Sequence, residues 1–463
     1  MWEKVKSAPV AISFEDIIVL PGFSEVEPFD IDTTTRFSRN IKLSIPLVSA
    51  PMDFVSNDKV ASILAAMGGI GVIHRNCSID EQLKIVRRVK ECDVYKDIPS
   101  IKPDYTLRDT ISYLKKLEEK VALIIDDNNT IGIVKLCTLS GSVRVSELTT
   151  ISEVLDEVRK EQTVSKLINI NEDNILIEMY SNTVGLKPSL DSDEKLMVAA
   201  ACSPFDYSRL KVLNDAADAI VIDVAHFHTK ACMEAVKRIE SEITADLIIG
   251  NIGTYNAVKD ALSKLEKVDG FRVGIGSGSI CKTGEETGVS APTLFAIIEA
   301  KNALRELSMD IPLVADGGVT SVASALKALV LGADSIMCGR YLAGCLECPG
   351  PLLEIEGRKY KLYRGMGSLT ARLERLLDRY SRTTKLISEG VEALVPYQGS
   401  VIEVIHKFVG SLKVAMGYAG AKNISEVRNA RIALLTPNTR KEIAPHSVIK
   451  IDSEMFWELL KKQ

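Results

Sequence analysis

Short apolar runs alternate with helical-looking stretches along most of the chain. Each run ends in Gly, Ser, Asp, Asn or His, and eight can be counted: Ile45–Ala50, Gly69–Ile73, Leu196–Cys202, Ala219–Asp223, Asp246–Gly250, Phe271–Ile275, Ile311–Ala315 and Asp334–Cys338. Continuous apolar strands that alternate with helices are typical of a parallel sheet buried on both faces. Eight of them predict an α/β fold of the closed TIM-type (β/α)8 barrel class. An open, doubly wound sheet is the alternative that the alternation leaves.

The spacing of the runs has one break, between the second and the third. A single helix, over residues 79–92, fills little of this gap, and about 100 residues remain. The break predicts an inserted α+β domain over 93–190, with the barrel formed by 1–92 and 191–463.

The insertion contains a weak internal repeat. The order helix, strand, polar turn, strand occurs twice, with strands at Val121–Ile125, Ile131–Val134, Leu167–Ile170 and Ile175–Ile177. Two small units that pair to bury their apolar faces are the simplest interpretation. An irregular insertion without a repeat is the alternative.

A second long excursion, residues 345–400, follows the eighth run. It contains Tyr363–Ser368, a charged helix that reaches Tyr380, and the pair Glu389-Gly390. A loop of this length is usually functional or disordered. On a barrel it would lie beside the active face, so we predict an active-site flap.

Composition narrows the possible partners. The chain has 463 residues, of which 46% are hydrophobic, and a net charge of −5. That balance disfavours nucleic acid and anionic membranes as partners, so phosphate would need a local site. The nine cysteines show no framework spacing, no apolar run approaches 18 residues, and the start has no signal-peptide pattern. We therefore expect a cytoplasmic protein that does not span a membrane.

Two glycine-containing loops predict a phosphate site. Asp316-Gly317-Gly318 follows the seventh run, and Gly339-Arg340 follows the eighth. Barrels often hold phosphate in these two loops, where glycine lets backbone N–H groups approach the oxygens and an arginine adds a charged fork. Tight turns that need glycine for backbone geometry alone are the alternative. Asp316 could accept ribose hydroxyls or could start a turn.

Cysteine supplies the candidate nucleophile. Cys281 lies in the glycine- and serine-rich loop 276–283 after the sixth run, where backbone donors can lower the pKa of a thiol. A buried, inert thiol is the alternative. Cys345 and Cys348 have the two-residue gap of a metal or redox pair, but without a second pair a structural role is favoured.

The loop Gly276-Ser-Gly-Ser-Ile-Cys-Lys-Thr283 resembles the catalytic loop of the IMP dehydrogenase and GMP reductase family. The similarity extends over nearly the whole chain. It includes Pro46–Asp53, Gly68–Gly71, Asp223–His228, Ala315–Gly318, Tyr363–Ser368, Glu389-Gly390 and Val395–Gly399. Only the insertion matches poorly, and there the resemblance implies a short, degenerate tandem CBS-type module.

The resemblance implies a role for each matching position. The implied catalytic residues are Cys281, Thr283, Arg379, Tyr380 and Glu347. The implied substrate-binding residues are Ser279, Asp316, Gly318, Gly339, Arg340, Tyr363, Gly365, Met366, Gly367, Glu389, Met52 and Asn251. The implied cofactor-binding residues are Asp223, Ala225, His226, Gly274 and Gly276, and the backbone carbonyls of Gly276, Gly278 and Cys281 would bind potassium.

The implied reaction is NAD-dependent oxidation of IMP to XMP through a Cys281 thioimidate, with the flap pair Arg379-Tyr380 as base. GMP reductase, which uses NADPH to convert GMP to IMP, is the rival, because Thr283 and Glu347 match its catalytic pair. The flap pair and the long insertion favour the dehydrogenase. A catalytically silent nucleotide sensor is the third alternative. The resemblance also implies a homotetramer that can pair into an octamer.

Overall fold

Eight parallel strands close into a barrel in the computed structural model, which describes residues 2–117, 120–137, 143–161, 163–170, 173–180, 185–376, 388–446 and 448. The barrel strands one to eight, in chain order around the barrel, are Leu47–Ser49, Ile70–Ile73, Val198–Cys202, Ala219–Ile222, Asp246–Ile252, Gly270–Val273, Leu313–Asp316 and Ser335–Cys338. Each strand lies within or close to a predicted run. The closed barrel is therefore confirmed and the open sheet is excluded.

One helix after each strand covers the outside of the barrel. These helices are Asp58–Ala66, Ile79–Lys90, Tyr207–Asn214, Lys230–Ile239, Tyr255–Lys264, Thr293–Glu306, Val322–Val330 and Val401–Tyr418. Most begin at a side-chain cap. For example, the Thr229 side chain accepts a hydrogen bond from the Cys232 backbone N–H, as a helix N-terminus requires.

The insertion forms a six-stranded sheet with two related halves. Across the sheet the strands are Ser100–Ile101, Val121–Asp126, Asn129–Cys137, Asp173–Met179, Ser165–Ile170 and Val143–Arg144. The two central strands pair antiparallel and join the halves. The helices Leu107–Lys116 and Ile151–Lys160 begin at Thr106 and Thr150, which themselves form a bridge. The repeated order of elements agrees with the repeat in the sequence.

The two faces of this sheet have different neighbours. One face packs against the sheet's own helices, with Leu107 and Val154 in the shared core. Leu123 and Ile133 belong instead to the large core of the barrel. In addition, the buried Lys413 ammonium of helix Val401–Tyr418 donates a hydrogen bond to the Tyr180 carbonyl at 3.0 Å. The sheet is therefore packed directly on the barrel.

The excursion after strand eight has more structure than the sequence indicated. It contains an antiparallel sheet of Leu352–Ile355, Arg358–Arg364 and Glu392–Pro396 and the helix Leu369–Leu376, and the short helix Arg340–Ala343 precedes it. The sheet escaped sequence analysis because its first strand is exposed along its whole length and shows no apolar alternation. The predicted helix is present up to Leu376, and its continuation to Tyr380 lies outside the described residues.

The remaining elements are short. They are the helices Trp2–Lys6, Pro28–Asp30, Val94–Asp97, Glu240–Glu242, Thr283–Thr287, Ile424–Val427 and Pro437–Glu442, and the strand pairs Ile17–Val19 with Ile432–Leu434 and Thr35–Arg36 with Lys42–Leu43. Among the described residues, no helix is long and apolar enough to cross a membrane.

Candidate active site

A row of charged side chains joined by hydrogen bonds, which we call the charge chain, crosses the carboxyl ends of the barrel strands. The Arg272 guanidinium, on strand six, donates to the Asp316 carboxylate at 2.9 Å and to the Asp223 carboxylate at 2.7 Å. Burial works to lower the pKa of Arg272, but the two carboxylates outweigh it and hold the pKa above its ordinary value. One buried cation therefore fixes the two carboxylates that sequence analysis assigned to substrate and to cofactor.

Two further side chains complete this chain. Arg75, just after strand two, donates to the other Asp223 oxygen at 3.1 Å. Asn251, on strand five, donates to Asp316 and to the Gly274 carbonyl, both at 2.7 Å. Each carboxylate is thus held from two sides, and each keeps nearly a fifth of its side chain exposed. This arrangement leaves fixed hydrogen-bond acceptors facing the mouth of the barrel.

The candidate nucleophile lies in the loop after strand six. The Cys281 side chain is exposed, and its Sγ lies 3.2 Å from the Thr283 hydroxyl. That hydroxyl also donates to the Glu389 carboxylate at 3.3 Å. The loop is tightened by a hydrogen bond from the Cys281 backbone N–H to the Gly278 carbonyl at 2.9 Å. An exposed thiol with a polar neighbour is consistent with a nucleophile and not with an inert core cysteine.

Two segments of the flap lie against this loop. Lys282 N–H donates to the Glu389 carbonyl at 2.9 Å, and Val391 N–H donates to the Ile280 carbonyl at 3.1 Å. Gly367 in turn accepts a hydrogen bond from the Glu389 backbone at 3.2 Å. The two flap segments that contain the implied substrate-binding residues Gly367 and Glu389 are therefore brought to the loop of Cys281 by backbone hydrogen bonds, which require no particular side chain.

The predicted phosphate loops also meet this centre. Gly317 and Gly318 have φ angles of +91° and +74°, which favour glycine. A Cβ atom on Gly317 would lie 3.0 Å from the backbone nitrogen of Gly278. A Cβ on Gly339 would lie 2.8 Å from the hydroxyl of Tyr363. Glycine is needed at 317 because of its positive φ and the close backbone of the loop after strand six. At 339 a side chain would instead have to displace the buried Tyr363 side chain.

Tyr363 lies at the end of a flap strand and reaches this region. Its ring is buried, and its hydroxyl lies 3.6 Å from the Met52 sulfur. Burial, together with the nearby charge of Asp316, raises the pKa of Tyr363, so its O–H remains a hydrogen-bond donor at neutral pH. Arg340 is exposed at the start of its short helix, and its positive charge acts on the same hydroxyl. Both side chains suit an anionic ligand.

A buried ion pair ties the flap to the loop after strand one. Arg364 donates to the Asp53 carboxylate at 2.6 Å, and both side chains are less than a tenth exposed. Asn76 donates to the same carboxylate oxygen at 2.7 Å. The flap strand is thereby fixed to the barrel next to Met52 and Tyr363.

The implied catalytic residue Glu347 makes its side-chain hydrogen bonds at the start of a helix. The Glu347 carboxylate accepts hydrogen bonds from the Ser400 hydroxyl and the Val401 N–H, at the start of helix Val401–Tyr418. In this position it caps a helix. Arg379 and Tyr380 lie outside the described residues.

The remaining implied site residues lie around this centre. Ser279 is exposed beside Cys281, and Gly365 and Met366 precede Gly367 on the flap. Gly274 and Gly276 have φ angles of +120° and +76° in the loop after strand six. Ala225 and His226 are exposed in the loop after Asp223.

The family model described as the IMP dehydrogenase / GMP reductase domain matches residues 11–446. The chain belongs to the IMP dehydrogenase / GMP reductase family. It is therefore an enzyme of an oxidoreductase family.

Relatives named inosine-5′-monophosphate dehydrogenase cover nearly the whole chain. The protein of Korarchaeum cryptofilum is 41% identical over 462 residues, covering 95% of this chain and 97% of its own length. That of Methanocaldococcus jannaschii is 37% identical, covering 96% and 97%. A crystal structure of Trypanosoma brucei GMP reductase in complex with guanosine 5′-monophosphate has a TM-score of 0.73 and 31% identity, and covers 96% of this chain and 100% of its own.

The residues of this family member fit a nicotinamide cofactor. A carboxylate can accept hydrogen bonds from both hydroxyls of a ribose, and the Asp223 carboxylate is held in place by Arg75 and Arg272. The Gly278 carbonyl, one of the three implied potassium ligands, keeps a lone pair beyond the hydrogen bond from Cys281.

Sequence analysis missed the two arginines of the charge chain. Arg272 is a charged residue inside an apolar strand, and such a residue is buried only when it is paired. This signal was present in the sixth run. Arg75 carried no comparable signal, because it follows a strand where any polar residue is expected.

Proposed function

We propose that this protein oxidises IMP to XMP with NAD⁺. The observation that carries the proposal is the exposed Cys281 thiol, 3.2 Å from the Thr283 hydroxyl, in a loop that abuts the glycines after Asp316. The proposed nucleophile, ribose acceptor and phosphate loops all follow strands at one end of the barrel, where this fold carries its catalytic groups.

The chain's own residues would act in order. The Arg340 guanidinium and the glycine loops would hold the phosphate, and the fixed Asp316 carboxylate would accept the ribose hydroxyls. The Cys281 thiolate would then form a bond to purine carbon 2, from which hydrogen leaves as hydride. Bound NAD⁺ supplies the hydride acceptor. Thr283, in contact with both Cys281 and Glu389, would orient the thiol and relay its proton.

The second half of the reaction regenerates the thiol. Water adds to carbon 2 of the thioimidate and the carbon–sulfur bond breaks. One hydrogen of the water ends on the ring nitrogen of XMP and the other on the Cys281 sulfur. The base would be the pair Arg379-Tyr380. An arginine has a pKa above about 12, so this role needs a local environment that favours the neutral form.

GMP reduction is the second candidate, because the matching solved structure is named GMP reductase. That reaction needs Glu347 beside Thr283, as the resemblance implies. The Glu347 carboxylate is instead occupied by Ser400 and Val401 at a helix start. This observation favours the dehydrogenase over the reductase.

Two cuvettes test the proposal. One holds IMP, NAD⁺ and potassium, and the other GMP and NADPH, and absorbance of reduced nicotinamide is followed in both. A rise in the first alone is expected. A fall in the second alone would make the protein a GMP reductase, and no change in either despite nucleotide binding would favour the silent sensor.

Three variants test the residue roles. Cys281→Ala should abolish turnover and leave nucleotide binding intact. Arg379→Ala should give a burst of NADH before a slow steady state, and equal slowing of both steps would contradict its role as base. Glu347→Gln should destabilise the fold by about 1 kcal/mol, as loss of a helix cap does, without slowing the chemical step.

The other family properties are part of the proposal. We propose that the carbonyls of Gly276, Gly278 and Cys281 hold potassium, that the six-stranded insertion is a CBS-type module, and that the enzyme is a cytoplasmic homotetramer that can pair into an octamer. Size-exclusion chromatography with light scattering tests the assembly. Omission of potassium from the first cuvette tests the ion site.

A further inference from the structure

Two cysteines outside the catalytic loop lie at the two ends of one turn. Cys345 and Cys348 are separated by Leu346-Glu347, are 0% and 3% exposed, and are near enough for the Cys348 thiol to raise the pKa of Cys345. The first and the last residue of a four-residue turn have Cα atoms less than about 7 Å apart. A disulfide needs a Cα separation of about 4.4–6.8 Å. The pair is therefore close enough to be bridged with little movement of the backbone.

A buried cation lies against the same turn. The Lys361 ammonium, 4% exposed, donates to the Leu346 carbonyl at 3.1 Å and to the Cys348 carbonyl at 2.8 Å. Its charge lowers the cost of forming a thiolate nearby, because opposite charges favour the ionised form. Within the described ranges there is no cluster of three or more His, Cys, Asp and Glu side chains that could hold a metal. The pair is thus better suited to dithiol chemistry than to metal binding.

The turn also touches parts of the proposed active site. The Cys348 thiol donates to the Leu342 carbonyl at 3.0 Å, in the short helix that begins with Arg340. Glu347, inside the turn, caps the helix that begins at Val401. A change in the turn would therefore act on the helix that carries the proposed phosphate arginine.

We propose that Cys345 and Cys348 are a redox site, which a small hydroperoxide oxidises to an intramolecular disulfide, and that the disulfide weakens binding of the nucleoside monophosphate. The second half of the proposal rests on the proposed function. Near-complete burial limits the oxidant to a small molecule. The neighbouring Cys348 thiol, together with burial, raises the pKa of Cys345, so the pair reacts only when peroxide is abundant.

The step balances with hydrogen peroxide as the two-electron oxidant. The Cys348 thiolate attacks one peroxide oxygen, the O–O bond breaks, and a sulfenic acid and water result. The Cys345 thiolate then attacks the Cys348 sulfur, the S–S bond forms, and the sulfenic oxygen leaves as a second water. Two thiols and one peroxide thus give one disulfide and two waters. Because the disulfide has no S–H group, the Leu342 carbonyl loses its thiol donor.

Peptide mapping of the peroxide-treated full chain tests the chemistry. After alkylation of the remaining thiols, we expect the peptide with both cysteines to be unalkylated and two hydrogens lighter, and dithiothreitol to reverse the change. A peptide map in which the exposed Cys281 is oxidised but this disulfide is absent would overturn the proposal. This readout does not depend on which nucleotide the enzyme uses.

Calorimetry tests the consequence for binding. We use Cys281→Ala as background, so that oxidation of the exposed thiol cannot contribute, and titrate with IMP and with GMP. Oxidation should weaken binding of whichever nucleotide binds by about tenfold. Adding Cys348→Ala should remove that loss, whereas the control Cys232→Ala, at a buried cysteine on a remote helix, should retain it. A mapped disulfide with unchanged affinity would overturn the coupling to the site.

Discussion

Replacing Arg272 by methionine tests the charge chain at its centre. Methionine keeps a long apolar side chain in the strand but removes the guanidinium that joins Asp316 and Asp223. Both carboxylates then face each other across the position that the cation occupied. The variant thus separates loss of charge from loss of packing.

The magnitude follows from the contacts. Hydrogen bonds to charged groups contribute about 1.5–3 kcal/mol each, and removing one partner of a buried ion pair costs about 3–5 kcal/mol. Arg75 and Asn251 remain on the two carboxylates, which also keep nearly a fifth of their side chains exposed. We therefore expect the lower end, about 3 kcal/mol. A typical stability of about 5–15 kcal/mol leaves the variant folded.

Urea unfolding and IMP titration measure the result. The free energy of unfolding should fall by about 3 kcal/mol in Arg272→Met. It should fall by less in Arg272→Lys, because an ammonium keeps the positive charge between the carboxylates although it cannot reproduce the two-pronged contact. IMP affinity should fall in both variants, because Asp316 loses its fixed position. The control Arg305→Met, at an exposed helix position, should change neither quantity. If Arg272→Met matched this control, the proposed role of the guanidinium would be wrong.

Three shorter predictions concern other parts of the fold. Arg364→Met should lower the free energy of unfolding in urea by about 3–5 kcal/mol, because the buried Asp53 carboxylate loses its charged partner. Adding Asp53→Asn should recover part of this loss, and losses that simply add would contradict a buried ion pair. Gly317→Ala should lower both stability, by about 1–3 kcal/mol, and nucleotide affinity, because φ is +91° and the methyl group meets the next loop; a neutral result would show that the loops can separate. The hydrogen bond from His406 lowers the pKa of Glu178 from 4.5, so this group's stabilisation is present above pH 4.5 and lost as pH falls. Glu178→Gln should therefore be about 1 kcal/mol less stable than wild type at pH 7 and equal to it near pH 3, and a loss that persists at pH 3 would contradict an ionic origin.

Much of the barrel could be predicted from local sequence. Strands such as Ala219–Ile222 are apolar throughout because both faces of a barrel strand are buried, and this pattern needs no knowledge of neighbours. The repeat in the insertion could be predicted for a similar reason, since Thr106 and Thr150 start equivalent amphipathic helices. The flap sheet could not be predicted from the sequence, because the strand Leu352–Ile355 is exposed and pairs with Arg358–Arg364 instead of packing into a core.

The sequence by itself determined the fold class, and it indicated the proposed nucleophile and the proposed phosphate loops. These depend on residue type and on order along the chain, and the carboxyl ends of barrel strands always meet. Only the tertiary structure decided which partners each charged group has. Arg272 joins two carboxylates that lie 93 residues apart in the chain, Asp223 and Asp316. Glu347 turns to a helix start because the free N–H groups there offer the nearest donors, and no local pattern could have indicated that choice.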